Sequence, residues 1–268
     1  MSEKRSNLMI IQSLVMICFL LGCDLFAFYL QLNLKAISHL AIAVLTAQLI
    51  CLLIFAKGKI CRGQNTRLIQ VNLYFLLYWG TWFLLSVFSN YHYVITDIVS
   101  LCGIATTIAI WQQPQDPVMR KSLLIIGSLS AILGILTYLI VFVQLPFSYF
   151  LKYNIITQIL IGFIIANLIL VSAKNRLNGF ISLLSFATLI LLFLNATIAL
   201  LLIYYASLSA VNFVNEFALG LYFILHLIIV LILGFHIFNK NMLSYYTLLI
   251  LFFISLTFPI WILFSLIY

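Results

Sequence analysis

Charged side chains are the scarcest feature of this 268-residue sequence. They make up 7% of the chain, whereas an ordinary soluble domain carries about 25%. The apolar fraction is 66% and the mean hydropathy is +1.26, so the chain has too few polar residues to cover a water-soluble fold. This composition excludes a soluble globular domain and predicts an integral membrane protein.

Acidic residues are especially rare, with five Asp and Glu against thirteen Lys and Arg. Few carboxylates remain for general acid–base chemistry, and the sequence contains no H-E-x-x-H, G-x-S-x-G or Walker motif. The net charge of +8 does not indicate nucleic-acid binding, because the cations are distributed over short loops and form no clustered basic face. The sequence therefore favours a non-enzymatic protein with no nucleic-acid partner and no bound cofactor.

The five cysteines form no C-x-x-C pair. Four of them lie within apolar runs, where cysteine behaves as a small packing residue. The spacing predicts neither a disulfide framework nor a metal site.

Nine apolar runs are each about long enough to cross a bilayer. They are residues 9–30, 37–56, 71–88, 94–111, 122–143, 154–171, 180–206, 218–238 and 243–266. About 20 residues, at a rise of roughly 1.5 Å each, cover a hydrocarbon core of roughly 30 Å. Helices satisfy their own backbone groups in lipid, and the runs are too long for barrel strands. We predict an all-α polytopic membrane bundle of nine transmembrane helices, forming a single domain over residues 1–268.

The first run has an alternative interpretation. Its Leu20-Leu21-Gly22-Cys23 segment follows a charged start and an apolar stretch, as a bacterial lipoprotein cleavage site does. Cleavage before Cys23 would leave eight spans. The run continues to Leu30, however, and is longer than the roughly 7–15 apolar residues of a signal peptide. A retained first helix is the preferred interpretation.

A basic break at residues 57–70 fixes the predicted orientation, because basic loops stay in the cytoplasm. Strict alternation from this loop puts eleven of the thirteen basic residues on the inner side and leaves Lys35 and Lys152 outside. The inner residues are Lys4, Arg5, Lys57, Lys59, Arg62, Arg67, Arg120, Lys121, Lys174, Arg176 and Lys240. We therefore predict a multi-pass protein of the bacterial cytoplasmic (inner) membrane, with the N-terminus in the cytoplasm and the C-terminus outside.

A few ionisable side chains lie inside the predicted spans, where burial of such groups is costly and by default indicates function. Counted from the outer ends of their spans, Asp24, Asp97 and His226 lie about 9, 5 and 12 Å deep. His39 and His92 lie at the outer mouth. We predict that Asp24, Asp97 and His226 line one outward-facing ligand-binding pocket, with His92 at its rim.

Hydroxyl groups at compatible depths extend this predicted pocket, namely those of Thr81, Thr96 and Ser100. Such a pocket can bind a cation or a polar solute, or pass protons between carboxylate and imidazole. In the alternative interpretation, each aspartate is satisfied by a neighbouring hydroxyl or reaches towards the interface.

Several other residues inside the runs are interpreted as structural. Asn167 and Asn195 are expected to form hydrogen bonds between helices, and Gly162 with Ala166 to allow close packing within the bundle. Pro259 is expected to free a backbone carbonyl and to kink the last helix.

The preferred function is a non-enzymatic membrane protein that binds or passes a small polar solute, ion or proton, as a transporter or a sensor. Two alternatives stay open: a structural membrane subunit of a larger complex, and a membrane-embedded enzyme or haem protein. Membrane lipids are expected partners, together with a small polar solute or other membrane subunits.

Overall fold

A computed structural model gives the structure of residues 2–31, 35–58, 60–146, 149–175, 177–208, 215–239 and 241–266. Side chains are described for these ranges except residues 2–8, 206 and 207. The predicted inner residues Lys59, Arg176 and Lys240 lie outside the described residues, as do the side chains of Lys4 and Arg5.

The described ranges contain eleven α-helices and no strand. They are α1 (Ser2–Leu30), α2 (Ala41–Lys57), α3 (Arg62–Leu73), α4 (Phe75–Phe88), α5 (Val94–Trp111), α6 (Pro117–Val143), α7 (Ile155–Ser172), α8 (Asn178–Leu208), α9 (Glu216–Phe238), α10 (Tyr245–Leu256) and α11 (Phe258–Leu266). Helices α3 and α4 follow one another as one stretch, Arg62–Phe88. Helices α10 and α11 likewise make up Tyr245–Leu266.

Eight helical stretches within the described residues are long and apolar enough to cross a membrane. A ninth apolar helix, α2, is shorter, with 17 residues. These nine segments correspond one to one to the nine predicted runs. The prediction of an all-α polytopic membrane bundle is therefore confirmed, while the exact number of crossings stays a prediction.

The second predicted run does not begin as a helix. We predicted a span from residue 37, but α2 starts at Ala41, and the segment from Ala36 to Leu40 is irregular and buried. Irregular backbone is tolerated at membrane depth where protein encloses it and pairs its polar groups. Side chains of other helices supply those partners here, which periodicity along one run does not reveal.

Helices α2 and α7 run parallel through the middle of the bundle. Near the start of both helices, Ile42 donates its backbone N–H to Gln158 Oε1 at 3.1 Å. A Cβ on Gly162 would lie 2.7 Å from the carbonyl oxygen of Ala43, so only glycine permits this approach. The interpretation of Gly162 as a packing residue within the bundle is confirmed.

Helices α5 and α6 form a close antiparallel pair. A Cβ on Gly127 would lie 2.9 Å from the Cβ of Ala109, and one on Gly134 would lie 3.0 Å from the Cβ of Cys102. On its other side α5 packs against α4, where a Cβ on Gly103 would lie 2.1 Å from the Trp79 ring. Glycine therefore sets the distance between these helices.

The basic loops predicted to lie inside are joined at one end of the bundle. Arg67 Nε donates to the Ala173 carbonyl oxygen at 2.8 Å, and Arg120 Nη2 donates to Asn65 Oδ1 at 2.8 Å. These bonds connect the start of α3 with the loop after α7 and the start of α6. The three loops share one end, and the side of the membrane that this end faces stays a prediction.

The first and last spans pack together. Helix α1 contacts α10 and α11, and its core residues include Met16 and Leu20, which precede Cys23. We predicted a kink at Pro259, and the last span is divided there into two helices, because α10 ends at Leu256 and α11 begins one residue before Pro259.

The glycine contacts predict that Gly103→Ala destabilises the protein. Its new methyl group would overlap the indole of Trp79, which is 1% exposed, and overpacking of this kind costs about 1–3 kcal/mol. Gly80→Ala is the matched control, because nothing lies within 4 Å of its added Cβ. Thermal unfolding in detergent should show a lower midpoint for Gly103→Ala alone, and equal midpoints would contradict this packing.

The predicted orientation can be tested with the native Cys61, which is exposed immediately before α3. A membrane-impermeant maleimide should label it in inside-out vesicles and leave it unlabelled in intact spheroplasts, because the basic end is predicted to be cytoplasmic. Cys61→Ser identifies the labelled site. Labelling from the outside would reverse the predicted topology.

Candidate functional site

The start of α2 lies inside the protein and needs hydrogen-bond partners. The first N–H groups of a helix have no acceptor within the helix, and lipid offers them none. The preceding segment and other helices supply the acceptors. His39 N donates to Asp24 Oδ1 at 2.8 Å, and Leu40 N donates to Ser38 Oγ at 3.0 Å.

Asp24 of α1 is the central acceptor at this helix start, with 0% of its surface exposed. Its Oδ1 accepts from the His39 backbone, and its Oδ2 accepts from Ser38 Oγ at 2.6 Å and from Tyr78 Oη at 2.8 Å. Three donors and the positive end of the α2 dipole stabilise its negative charge. Asp24 therefore acts as a cap for α2 that is supplied by another helix.

The oxygens Asp24 Oδ2, Ser38 Oγ and Tyr78 Oη form a triangle with sides of 2.6, 2.8 and 2.7 Å. The two hydroxyl groups bring only two protons to three contacts. When Asp24 is ionised, both protons point to its carboxylate and the contact between Ser38 and Tyr78 has none. When Asp24 is protonated, every side of the triangle can carry one proton. The triangle therefore has room for one proton more than its two hydroxyl groups supply.

His39 lies beside Asp24, and not at the outer mouth as we predicted, with 1% of its surface exposed. Gln31 Oε1 accepts from Tyr153 Oη at 2.7 Å, which leaves the Gln31 amide nitrogen to donate to His39 Nε2. The neutral ring therefore carries its proton on Nδ1. This nitrogen lies 3.7 Å from Asp24 Oδ1 and has no hydrogen-bond partner among the described residues.

Polar side chains of α6 and α7 enclose the same segment. Tyr138 Oη donates to the Ser38 carbonyl oxygen at 2.7 Å, and Gln158 Nε2 lies 3.0 Å from Tyr138 Oη and 3.2 Å from the Tyr153 carbonyl oxygen. The Gln158 side-chain carbonyl oxygen accepts from the Ile42 N–H near the start of α2. We call Asp24, Ser38, His39, Tyr78, Tyr138 and Gln158 the aspartate cluster.

A second buried cluster joins α7, α8 and α9 around Asn195, and we call it the asparagine cluster. Asn195 Oδ1 accepts from Asn154 Nδ2 at 2.9 Å and from Thr157 Oγ1 at 2.7 Å. Asn195 Nδ2 lies 3.1 Å from Tyr222 Oη and 2.8 Å from His226 Nε2. One amide thus connects three helices, which confirms the interpretation of Asn195 as an interhelical partner.

His226 is held as a neutral imidazole by this cluster. Its Nδ1 lies 2.8 Å from the Tyr222 carbonyl oxygen, which can only accept, so Nδ1 is the donor. Nε2 then accepts from the Asn195 amide. The ring stacks on Phe258 with centroids 4.0 Å apart. Both nitrogens are engaged, so His226 positions Tyr222 and Asn195.

A small cavity of about 10 Å³ separates the two clusters, which is the space of one water molecule. The aspartate cluster contributes His39 and Gln158 to its lining. The remaining lining residues are Leu151, Lys152, Asn154, Thr157, Tyr222, Phe258, Pro259 and Ile262. The irregular segment before α2 and the interruption of the last span therefore meet at this cavity.

Lys152 brings a cation to this cavity from the loop before α7. Its Nζ lies 4.6 Å from the centroid of the Tyr149 ring, a cation–π contact. Burial lowers the pKa of the Lys152 amine from its usual value, because desolvation penalises the charged form. The cavity thus has an amine at its edge and an imidazole in its wall.

On the other side of Ser38, a second cavity of about 10 Å³ lies between α4, α5 and α6. Its lining includes Ser38, Tyr138, Thr96 and Ser100. Two of the hydroxyl-bearing residues predicted to extend the Asp24 pocket therefore lie next to the aspartate cluster. Thr81 instead donates to the Leu77 carbonyl oxygen of its own helix.

Asp97 and His92 form a separate pair at the start of α5. His92 Nδ1 lies 3.4 Å from Asp97 Oδ2, and the side chains are 49% and 13% exposed. Asp97 Oδ1 is buried without a hydrogen-bond partner among the described residues. This pair is open to the aqueous side, in contrast to Asp24.

The four predicted ligand-binding residues thus belong to three groups. Asp24 lies in the aspartate cluster, His226 in the asparagine cluster, and Asp97 pairs with His92. Sequence reasoning placed His39 at the surface and did not identify Tyr78, Tyr138 or Gln158. The signal for His39 was its position directly after Ser38 at the start of an apolar run, where a buried helix start needs polar partners.

Metal-binding geometry is absent from the described ranges, which contain no group of three or more His, Cys, Asp or Glu side chains that could hold an ion.

The helices and the buried polar clusters define a multi-pass integral membrane protein. The chain belongs to the family described as an integral membrane domain, which matches residues 3–264. It is 45% identical over 266 residues to an uncharacterized protein of Haemophilus influenzae, covering 98% of this chain and 100% of the relative. No solved structure matches the chain. The apolar helices, together with the relative from Haemophilus influenzae, make this chain a multi-pass protein of the bacterial inner membrane.

The asparagine cluster predicts that Asn195→Leu destabilises the bundle. The substitution leaves polar groups on α7 and α9 without their partner, at a cost of about 1–3 kcal/mol. Thr197→Ala is the control on the same helix, because Thr197 is exposed and bonds only the Phe193 carbonyl oxygen. If the two variants unfold at the same temperature in detergent, the cluster contributes no stability.

Proposed function

We propose that this protein is a proton-coupled transporter of a small polar solute or ion, with Asp24 as its proton-binding carboxylate. His39 is the partner of Asp24, and the solute binds at the cavity between the aspartate and asparagine clusters. The family match gives the membrane setting, and the proposal for transport rests on the arrangement of the buried polar groups.

The oxygen triangle around Asp24 is the observation that carries this proposal. A structural cap needs only an ionised carboxylate. Here Ser38 and Tyr78 are also within 2.7 Å of one another, a contact that is satisfied only when a third proton is present. The triangle can therefore alternate between two protonation states. The two states differ by one charge at the start of α2. Proton binding is in this way coupled to the helix that runs through the centre of the bundle.

His39 gives protons a route between Asp24 and the predicted outer end of the bundle. Its Nδ1 faces the carboxylate at 3.7 Å, and its Nε2 contacts Gln31, which is partly exposed at the end of α1. Imidazole exchanges protons near neutral pH and is a common relay. A proton that arrives on Nε2 meets the Gln31 amide, so the amide must turn and release Tyr153 for the ring to carry two protons.

The cavity between the clusters supports a solute site. Transporters often form their substrate and ion sites where interrupted helices meet near the middle of the membrane. The irregular segment before α2 and the break before α11 meet at this cavity, next to polar side chains of α7 and α9. A volume of about 10 Å³ has room for one water molecule, so a solute requires the interrupted segments to move apart.

His226, Asp97 and His92 were predicted to line the same pocket as Asp24, and we propose a separate role for them. His226 holds the Asn195 amide, which also contacts the Tyr222 hydroxyl at the wall of the solute cavity. Asp97 and His92 are proposed to bind cations or protons at the aqueous end, before transfer to the buried sites.

Asp24→Asn should remove proton binding while preserving the fold, because the amide still accepts from the His39 N–H. In liposomes that contain the purified protein, a potential-driven proton flux reported by an enclosed pH dye should be lost in this variant. Infrared difference spectra between acid and alkaline pH should lose a protonated-carboxyl band. With five acidic residues in the chain, that band can be assigned by substitution.

Asp97→Asn is the matched control, since it makes the same chemical change at the exposed pair. It should keep the buried carboxyl band and reduce the flux only partly. If Asp24→Asn retains both the flux and the band, Asp24 is a structural cap alone and the proposed function is wrong.

A further inference from the structure

A groove lies at the basic end of the bundle, far along α2 from the aspartate cluster. It has a volume of about 520 Å³, within the range of roughly 300–1,000 Å³ that is typical of ligand sites. It lies between the end of α2 and the first turns of α6. Neither the proposed proton site nor the solute cavity contributes to it.

One end of this groove is positively charged. Lys57, Arg120 and Lys121 line it, together with Gln115, and its lining contains no acidic residue. Asp116 is the neighbouring carboxylate along the chain, but its Oδ2 accepts from the Met119 N–H at 2.8 Å and caps α6. The groove therefore presents three cations that the protein does not neutralise within its lining.

Arg120 is held in place before any ligand arrives. Its Nη2 donates to Asn65 Oδ1 at 2.8 Å, which fixes the guanidinium relative to α3. Its Nε is buried without a hydrogen-bond partner among the described residues, and the single Asn65 contact leaves other guanidinium N–H groups to donate. A fixed, unneutralised guanidinium is suited to a phosphate group.

The rest of the groove is apolar and faces the lipid. Leu124 and Phe55 form its buried wall, while Ile125 and Leu129 are 51% and 61% exposed. They lie on successive turns of α6, leading from the cations towards the middle of the membrane. A ligand that fills this groove needs an anionic head and an apolar tail on the same molecule.

We propose that this groove binds an anionic glycerophospholipid, with its phosphate at Lys57, Arg120 and Lys121 and an acyl chain along Leu124, Ile125 and Leu129. Charge complementarity selects the head, and the continuation of the groove along the lipid-facing surface of α6 selects the tail. The site is on the predicted cytoplasmic side, where juxtamembrane cations favour anionic lipids.

The test is to titrate the delipidated protein in detergent with phosphatidylglycerol. Binding is measured by the rise of the thermal unfolding midpoint and by native mass spectrometry. Phosphatidylethanolamine and water-soluble glycerol phosphate are the comparison ligands. The double variant Lys57→Gln, Lys121→Gln changes two exposed side chains. Each such cation contributes about a fivefold preference, so the pair should weaken phosphatidylglycerol binding roughly 25-fold.

Arg62→Gln is the matched control, because Arg62 is exposed at the same end but does not line the groove. We expect it to bind phosphatidylglycerol as the unchanged protein does. The proposal is overturned if both phospholipids bind equally, if glycerol phosphate alone saturates the site, or if Arg62→Gln weakens binding as much as the double variant. A lipid-free dimer that buries Lys121 would also overturn it, since a second copy would then occupy the groove.

Discussion

The start of α2 is the constraint on which the rest of this structure depends. A helix that begins inside an apolar protein leaves backbone N–H groups that neither water nor lipid can satisfy. Asp24 from α1, Ser38 from the segment itself and Gln158 from α7 supply the acceptors. These bonds hold α1, α2 and α7 together at one point, and the two helices that run through the centre take their relative position from it.

A carboxylate in this position links structure to chemistry. As an anion it stabilises the positive end of the α2 dipole, and as an acid it completes the hydrogen bonds of the Ser38–Tyr78 contact. The two states differ in the charge that faces the helix start. A proton on Asp24 is therefore proposed to bias the position of α2, and with it the cavity that α2 shares with the interrupted last span.

The two ends of the molecule use charge differently. At the end with the Asp24 cap, the aspartate and asparagine clusters are buried and their polar groups are largely paired with one another. At the opposite end the cations are exposed, and some are held by carbonyl and amide oxygens of neighbouring loops, as Arg67 and Arg120 are. This division follows from the cost of burying charge: a cation near headgroups keeps its solvation, whereas a carboxylate inside the bundle needs donors arranged around it.

The sequence by itself determined the helical membrane fold, the positions of the nine apolar segments and an irregularity at Pro259, because length, hydropathy and backbone chemistry act locally along the chain. It also indicated Asp24 and Asn195, since polar groups in apolar runs are conspicuous. Only the tertiary structure decided that His39 is buried beside Asp24, that Asp97 pairs with His92, and that Tyr78, Tyr138 and Gln158 complete the cluster. These relations depend on the lateral arrangement of helices, which side-chain packing and glycine contacts such as Gly162 against Ala43 determine, and depth along a span carries no information about them.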